Sequence, residues 1–433
     1  MRYNWNSGLK PNQNLHTFGD ALSYFKECGD ELFVKVNNQV KTFESMMESM
    51  ADHRIYIVAS DRTQYAFTHL QYVLRRYCSY NGKIRPNIFM VGKDANVPVN
   101  DPETDVGIVV SGSSFTKSVV NGMEVLADEG VKTFFLTYTT PEKAREEQQK
   151  QKQEGKELKP SVWNYFIKQK NFKKNFEERV IYLPMGEQSW GRERKRGSLA
   201  PQGTKFELGA GITAIGFGNG LYIYHSMEGN NKSKETPIET LLNTVGGFRD
   251  YLAHDLMEKC YNSRFEIADF VQDLFEIPHK KLVGFGESEI NVNSFGNRLT
   301  HCEHLGKGKK LDKENRSVEI IKSAYTGFVG KNDLVIGISK SGDNPYTGFI
   351  LAEAMEENPE KIYLITSHPK PAIETYTKKI VLPPIISTDR EETPKSCLDY
   401  MGIYVFLDSC IAQLAENLSL DEEDMKKLHS RYG

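Results

Sequence analysis

Asp105-Val-Gly-Ile-Val-Val110 followed by Ser111-Gly-Ser-Ser-Phe-Thr116 is an apolar stretch that ends in a serine-rich turn. The second half of the chain repeats this arrangement as Asp333-Leu-Val-Ile-Gly-Ile338 and Ser339-Lys-Ser-Gly-Asp-Asn344. A short apolar run bounded by turn residues is typical of a buried strand. Both segments therefore predict a strand that passes through a hydroxyl-rich turn into a helix.

The sequence around these two segments alternates between apolar strands and stretches with helical spacing. The predicted strands are 55–58, 87–91, 105–110, 133–137 and 180–183 in the first half, and 281–284, 318–321, 333–338, 361–366 and 379–382 in the second half. Helices are predicted between most of them. This pattern favours an α/β fold with doubly wound parallel sheets of the flavodoxin-like or Rossmann-like kind.

The spacing of matching residues indicates an internal repeat. Ser111 and Ser339 are 228 residues apart, and Thr63 and Ser288 are 225 apart. The pair Pro201 and Pro394 is only 193 apart, so the offset falls by 35. A charged insertion at 141–178 in the first copy explains the difference, and it is expected to be a solvated arm or a lid. The predicted domains are 1–232 and 233–433, joined at a polar, turn-rich stretch.

Composition excludes several classes of function. The chain has 433 residues and a net charge of -3, without the basic surface of a nucleic-acid-binding protein. No run of about 18 apolar residues is present, so no membrane segment is expected. The six cysteines, at 28, 78, 260, 302, 397 and 410, show no zinc spacing. We expect reduced thiols and a cytoplasmic location.

The two serine-rich turns are candidate sites for a tetrahedral anion. Hydroxyls and free amides at a helix N-terminus bind oxyanions, and ligands of open parallel sheets bind beyond the carboxyl ends of the strands. Ordinary helix capping is the alternative, because Ser and Thr are favoured at that position. The candidate residues are Ser111, Ser113, Ser114, Thr116, Ser339, Ser341 and Asn344.

Both turns resemble the phosphate loop of the sugar isomerase (SIS) domain, which reads roughly Ser-x-Ser-Gly-x-Thr after a strand. Copy one carries Ser114 where Gly is usual, and copy two carries Asn344 where Thr is usual. The resemblance covers nearly the whole chain, and it implies two SIS domains that form an internal pseudo-dimer and hold a small sugar phosphate.

The first copy also resembles the 6-phospho-3-hexuloisomerases. Its segment Pro201-Gln-Gly-Thr-Lys-Phe-Glu207 is similar to their Pro-x-Gly-Thr-x-Phe-Glu, and Val58-Ala-Ser-Asp-Arg62-Thr63 to their Val-Gly-x-Gly-Arg-Ser. The resemblance implies that Glu207 is the base for proton transfer, and that Arg62, Thr63 and Thr204 bind substrate. From the residues alone, a carboxylate near a helix start is either a helix-dipole partner or a functional base.

The second copy matches a different part of that family. Phe295-Gly-Asn-Arg-Leu-Thr-His301 resembles its Phe-x-x-Arg-Leu-x-His, which implies an acid–base or ring-opening role for His301; His304 is a competing choice. The resemblance to SIS domains also implies that Ser288 is a further phosphate contact. Copy one has Arg76 at the place of His301, and copy two has Tyr400 at the place of Glu207. One composite site per chain would therefore combine Glu207 with His301.

The resemblance implies an aldose–ketose isomerase that works through an enediolate, a reaction that needs neither metal nor redox cofactor. The alternatives are another SIS enzyme (a phosphosugar lyase, etherase or deaminating isomerase) and a non-catalytic sugar-phosphate sensor. A sulfonate or another tetrahedral anion could fill the same turn. Because SIS folds often pair through their first helices, a homodimer is also expected by analogy of fold.

Overall fold

Two successive sets of strands and helices make up the computed structural model. It describes residues 3–50, 53–77, 88–90, 103–169, 177–184, 204–227, 235–306, 316–322, 329–385, 397–420 and 424, without the side chains of 61, 62, 66, 73–77, 204 and 225–227. The boundary predicted at residues 232 and 233 lies outside these ranges, and the two-domain division stays a prediction.

The elements of copy one begin and end close to the predicted positions. They are α1 (His16–Asn38), α2 (Val40–Met50), β1 (Ile55–Val58), α3 (Asp61–Tyr77), β2 (Ile88–Met90), β3 (Val106–Val110), α4 (Lys117–Asp128), β4 (Lys132–Thr137), α5 (Pro141–Gln153), α6 (Val162–Phe166), β5 (Val180–Tyr182) and α7 (Thr204–Met227).

Copy two repeats this order without the insertion. Its elements are α8 (Pro237–Tyr251), α9 (Met257–Asn262), α10 (Arg264–Glu276), β6 (His279–Val283), α11 (Ser288–Gly306), β7 (Ser317–Ile321), β8 (Asp333–Ile338), α12 (Pro345–Glu356), β9 (Lys361–Thr366), β10 (Lys378–Val381) and α13 (Leu398–Asn417). A π-helical turn over Leu252–Leu256 joins α8 to α9.

The two sheets have the same topology. Copy one has the strand order β2-β1-β3-β4-β5 and copy two has β7-β6-β8-β9-β10, with every pair parallel. Numbered within each copy, both orders are 2-1-3-4-5, which is the flavodoxin-like arrangement. The doubly wound α/β fold predicted from the sequence is therefore confirmed, with two five-stranded sheets.

One hydrophobic core contains residues of both copies. Alternate residues of a strand point to opposite faces of its sheet, so each strand contributes one set of side chains to this core and the other set to an outer cluster. In β1, Ile55 and Ile57 face a core cluster that also contains Leu334 and Ile336 of β8. Tyr56 of β1 faces a separate outer cluster that belongs to copy one alone. The inner faces of the two sheets thus share one apolar interior, as expected for an internal pseudo-dimer.

The helices of this shared core are exchanged between the copies. The first helix of copy one, α1, packs against α13 of copy two, and the first helix of copy two, α8, packs against α7 of copy one. The glycine-rich run at 216–220 serves this contact, because a Cβ at Gly216 would lie 2.4 Å from Leu241 Cδ1. Each copy therefore completes the interior of the other.

Candidate functional site

The turn of copy one follows β3 and is closed by its own hydroxyl groups. Ser111 Oγ accepts a hydrogen bond from Ser114 N at 3.2 Å, and Ser113 Oγ accepts one from Phe115 N at 3.3 Å. Ser114 has φ of 65°, a left-handed conformation that favours glycine. Its hydroxyl is buried and has no hydrogen-bond partner among the described residues. The turn thus keeps a buried polar group available at the start of α4 (Lys117–Asp128).

The backbone of this turn is fixed from the neighbouring strand β4. Thr137 Oγ1 and Thr139 Oγ1 donate to the Gly112 carbonyl at 3.0 Å and 2.8 Å. A Cβ at Gly112 would lie 2.4 Å from Tyr138 Cε1 and 3.2 Å from Phe206 Cδ1, so glycine is required there. Phe206 precedes Glu207 in the chain, and the turn therefore lies beside the start of α7 (Thr204–Met227).

The turn of copy two repeats these contacts with other side chains. Ser339 Oγ accepts from Gly342 N at 3.1 Å, and Gly342 has φ of 67°. The Lys340 carbonyl accepts from Thr366 Oγ1 at 2.9 Å and from Ser367 N at 3.0 Å. The two turns therefore share one backbone conformation, with Ser114 in the place of Gly342.

The two helix starts differ in how they are capped. Asn344 accepts a hydrogen bond from Thr347 N at 3.0 Å, which is ordinary capping. Thr116 holds the same extended backbone position, but its side chain makes no capping hydrogen bond. In copy two, Ser341 donates to the exposed Asp343. The capping alternative thus describes Asn344 but not Thr116.

Glu207 is the fourth residue of α7 and contacts the opposite copy. Tyr404 OH of α13 donates to Glu207 Oε2 at 3.1 Å. Arg298 Nη2 of α11 lies 3.5 Å from the same oxygen, with the Arg298 side chain 1% exposed and the Glu207 side chain 12% exposed. This carboxylate is therefore held at the interface between the copies, beside the turn of copy one.

His301 follows Arg298 by three residues on α11, so both lie on one face of the helix, about 4.5 Å apart along its axis. The side chain of His301 is half-buried, whereas His304 is exposed. The structure thus places His301 one turn from the arginine that reaches Glu207. The side chain of Arg76, its counterpart in copy one, lies outside the described residues.

The position equivalent to Glu207 in copy two is Tyr400, and it has different surroundings. Lys340 Nζ lies 5.4 Å from the centre of the Tyr400 ring. The ring of His69, from α3 of copy one, lies 5.7 Å from the same ring. Burial lowers the pKa of His69 to about 3, so the imidazole is neutral. Burial also raises the pKa of the neighbouring Asp399 to about 6, although the hydrogen bond from Ile385 N and the charge of Lys340 each lower this pKa.

The remaining sequence-predicted residues lie at the carboxyl edges of the sheets. Thr63 donates to Ser60 O at 2.8 Å, in the first turn of α3. Ser288 is buried at the start of α11. Arg62 and Thr204 are in the first turns of α3 and α7, and their side chains lie outside the described residues.

The insertion is only partly the solvated arm or lid that the sequence predicts. Helix α5 (Pro141–Gln153) buries only Ala144, as expected for an arm. Helix α6 (Val162–Phe166) packs into the core instead, because Trp163 lies 4.9 Å from the Phe135 ring and donates through Nε1 to Thr139 O at 3.1 Å. Its first residue, Val162, donates to Ser114 O at 2.8 Å. The insertion therefore supports the turn of copy one.

Solved structures share this two-sheet fold. The C-terminal domain of glucosamine-fructose-6-phosphate aminotransferase from Francisella tularensis matches with a TM-score of 0.56 and 11% identity, over 93% of this chain and 97% of that one. Tagatose-6-phosphate ketose/aldose isomerase from Escherichia coli matches with 0.53 and 12%, over 91% and 92%. This chain has the tandem SIS fold. No protein-family model and no curated protein matches it by sequence.

Within the tandem SIS fold, the sequence reasoning missed residues that act across the copies. Arg298 was part of a recognised motif, and a buried arginine on an otherwise apolar helix face is a signal for a charged partner. Tyr404 carried no local signal, since it lies in an apolar helix. Thr137 and Thr139 could have been found as hydroxyls at a strand end.

None of the described helices is long and apolar enough to cross a bilayer. Across those same ranges, no three His, Cys, Asp or Glu side chains are arranged to hold a metal ion. The five cysteines that the structure describes are buried, and none of these five is in a disulfide bond.

Proposed function

We propose that this chain is a phosphosugar isomerase that interconverts an aldose phosphate and its ketose partner at one composite site. The named neighbours support this class of chemistry, since one of them is a ketose/aldose isomerase. The observation that carries the proposal is the Glu207 carboxylate, held by Arg298 and Tyr404 of the opposite copy beside a hydroxyl-rich turn.

The phosphate would bind at the turn of copy one. Ser111, Ser113, Ser114 and Thr116 supply hydroxyls there, and the amides at the start of α4 favour an anion. Fixing the phosphate would hold the carbon chain against the acid–base groups, which removes much of the entropic cost of reaction. Arg62, Thr63 and Thr204 would contribute further substrate contacts.

Glu207 would act as the base. It removes the proton from C2 of the open-chain aldose; the C2–H electrons form the C1–C2 double bond, the C1–O1 π electrons move onto O1, and the enediolate results. The same carboxylic acid then returns the proton to C1, where the C1–C2 π electrons form the new C–H bond, and an electron pair of O2 forms the C2–O2 double bond of the ketose. His301 would move the hydroxyl proton from O2 to O1, or assist ring opening. Arg298 and Tyr404 hold the carboxylate in place, a positioning role.

The experiment measures the incorporation of deuterium from solvent D₂O into sugar phosphates. An enediolate exchanges its carbon-bound proton with water, so wild-type protein in D₂O should label the C1 or C2 position of its substrate. Glu207→Gln should lower this exchange and turnover by about 10²–10⁴-fold. Glu146→Gln, on exposed α5, is the matched control and should retain wild-type rates.

Binding is measured in parallel, because a native-state ligand raises the unfolding midpoint. Glu207→Gln should keep its midpoint shift with the sugar phosphate, and no shift is expected with free sugars. Wild-type turnover in Glu207→Gln would exclude this residue as the base. Binding by the wild type without exchange or interconversion would instead favour another SIS enzyme or a sensor.

A further inference from the structure

The outer helix α12 of copy two has an exposed aromatic surface that its counterpart in copy one lacks. Tyr346 and Phe349 of α12 are 68% and 52% exposed. At the repeat offset of 228 residues, α4 of copy one has Ser118 and Asn121 at these places, and both are exposed. Polar side chains therefore satisfy the same positions of the same fold, and the fold itself does not require the two rings.

A third aromatic side chain continues this surface. Phe285, in the turn after β6, is half-buried, and its ring centre lies 5.8 Å from that of Tyr346. Copy one has Ser60 at the place of Phe285, at the repeat offset of 225 residues. Phe285, Tyr346 and Phe349 are called the aromatic patch below. A contiguous apolar surface on a folded chain marks a site of interaction.

The absence of the insertion from copy two does not explain this exposure. In copy one, the insertion supports the turn through Val162 N, which donates to Ser114 O at 2.8 Å. In copy two, Ile373 N makes the same contact with Gly342 O at 2.8 Å. The Ile373 side chain then packs beside Gly348, on a different face of α12 from the aromatic patch. The patch thus lies outside the surface that the insertion covers in copy one.

Charge is distributed unevenly along α12. Its C-terminal half carries the exposed Glu353 and Glu356, and its sequence contains neither Lys nor Arg. At its N-terminal end, the exposed Asp343 and Lys370 have opposite charges; Lys370 lies there because Pro371 packs against the turn that precedes the helix. The backbone amides then leave this end positive, whereas the carbonyl groups make the C-terminal end more negative. Each end of α12 therefore complements the other end of an identical helix.

We propose that the partner of the aromatic patch is a second molecule of this chain, and that the two chains pair through α12 around a two-fold axis at Phe349. The two helices run antiparallel, so residues at equal distances from the axis meet. Phe349 packs on its own counterpart, and Tyr346 packs on Ala352 of the partner subunit. Glu353 approaches the N-terminus of the partner helix at Pro345. The apolar and the charged halves are both matched in this arrangement.

The size of the patch predicts a weak dimer. The exposed parts of Tyr346 and Phe349 amount to roughly 240 Å² per chain, because an aromatic side chain presents about 200 Å² in full. A standard interface buries about 800 Å² per partner, so this contact lies at the low end of the range. We expect a dissociation constant on the order of 10–100 µM. This contact is separate from the predicted pairing through the first helices, and it is independent of the isomerisation site proposed above.

Sedimentation velocity of the full chain, between about 1 and 300 µM, tests the proposal. The wild type should change from monomer to dimer over this range. The double variant Tyr346→Ser/Phe349→Asn, which carries the residues of copy one, should raise the dissociation constant by at least about 10-fold, because aromatic anchors dominate interface energies. Val125→Glu is the matched control: it gives the exposed α4 position the residue that α12 has at Glu353, and the dissociation constant should not change.

A second variant and a folding measurement support this comparison. Glu353→Lys should also weaken the dimer, by about 3–10-fold, and the difference from wild type should shrink at high salt, because exposed charges are screened. The thermal unfolding midpoints of both variants should equal that of the wild type at concentrations where it is monomeric, since the replaced side chains are exposed.

The outcomes separate the possible partners of the patch. Loss of the dimer in the double variant, with Val125→Glu unaffected, supports the proposal. A wild type that stays monomeric over the whole range overturns it and leaves the patch to a different protein. A dimer that the double variant retains unchanged also overturns it. If Val34→Glu, on the exposed face of α1, dissociates that dimer, the first helices form the interface instead.

Discussion

At the scale of single residues, the two turns show one backbone conformation carried by different side chains. Ser114 and Gly342 have φ of 65° and 67°. Glycine adopts this conformation without steric cost, whereas serine does not. The buried, unpartnered Ser114 hydroxyl adds a second cost. We infer that the hydroxyl of Ser114 in the turn of copy one lowers the stability of the folded protein.

Replacing Ser114 by glycine should therefore stabilise the protein. We expect Ser114→Gly to raise the free energy of unfolding by about 1 kcal/mol, since backbone strain and an unpaired hydroxyl are both removed. Denaturant unfolding measures the change. The reciprocal Gly342→Ser is the control and should destabilise, because a Cβ there would lie 2.3 Å from Pro371 Cβ. Equal effects of the two changes would contradict this account.

The raised pKa of Asp399 makes its contribution depend on pH. Burial favours the protonated form in the native state, so the stabilisation is complete below about pH 4 and is lost as pH rises through about 6. Asn mimics the protonated form. Asp399→Asn should therefore exceed wild type in stability by about 1–3 kcal/mol near pH 8, and the difference should vanish near pH 4. Urea unfolding at both pH values checks this, and a constant difference would argue against titration of Asp399.

At the scale of elements, the insertion divides into a solvated helix and a buried one. Helix α6 supplies Trp163 to the outer core of copy one, while α5 covers little apolar surface. Trp163→Ala should reduce the free energy of unfolding by about 3–5 kcal/mol, because a buried aromatic ring is lost.

The control for this prediction lies on α5. Gln149 is exposed, and Gln149→Ala should change stability by no more than about 0.5 kcal/mol. Thermal or denaturant unfolding of both variants tests the division. Similar losses in both would mean that α5 is packed, and a negligible loss for Trp163→Ala would mean that α6 is not part of the core.

At the scale of the whole molecule, the two copies depend on each other. The ring centres of Phe18 in α1 and Phe406 in α13 are 6.0 Å apart. Phe18 N donates a hydrogen bond to Gln413 Oε1 at 3.1 Å in the same buried interface. The exchanged helices α1 and α8 would expose apolar faces if the copies were separated. The first helices of the two copies, α1 and α8, therefore pack against helices of the same chain. A homodimer that pairs through these helices stays a prediction.

Separated halves should consequently fail to fold alone. We expect residues 1–232 and 233–433, expressed individually, to lack a cooperative unfolding transition, because each loses the helices that complete its interior. Co-expression should give a soluble 1:1 complex, detectable by co-purification and sedimentation. Cooperative unfolding of either half as a monomer would show that the shared core is not needed.

Local signals in the sequence determined the fold. The apolar runs at 105–110 and 333–338, each followed by a hydroxyl-rich turn, can be recognised from a few neighbouring residues. The repetition of such segments at a nearly constant offset predicted the tandem arrangement. Glu207 and His301 could be predicted as site residues because they lie in contiguous motifs. Their pairing in one site stays a prediction.

Only the tertiary structure decided what acts across the copies. Arg298 and Tyr404 reach Glu207 from elements that are far away in the sequence. Likewise, α6 looked like part of a charged arm, although Val162, Trp163 and Phe166 are buried in the outer core of copy one. No local pattern encodes such contacts, because they arise where two sheets share one apolar interior, and burial there depends on the packing of the whole chain.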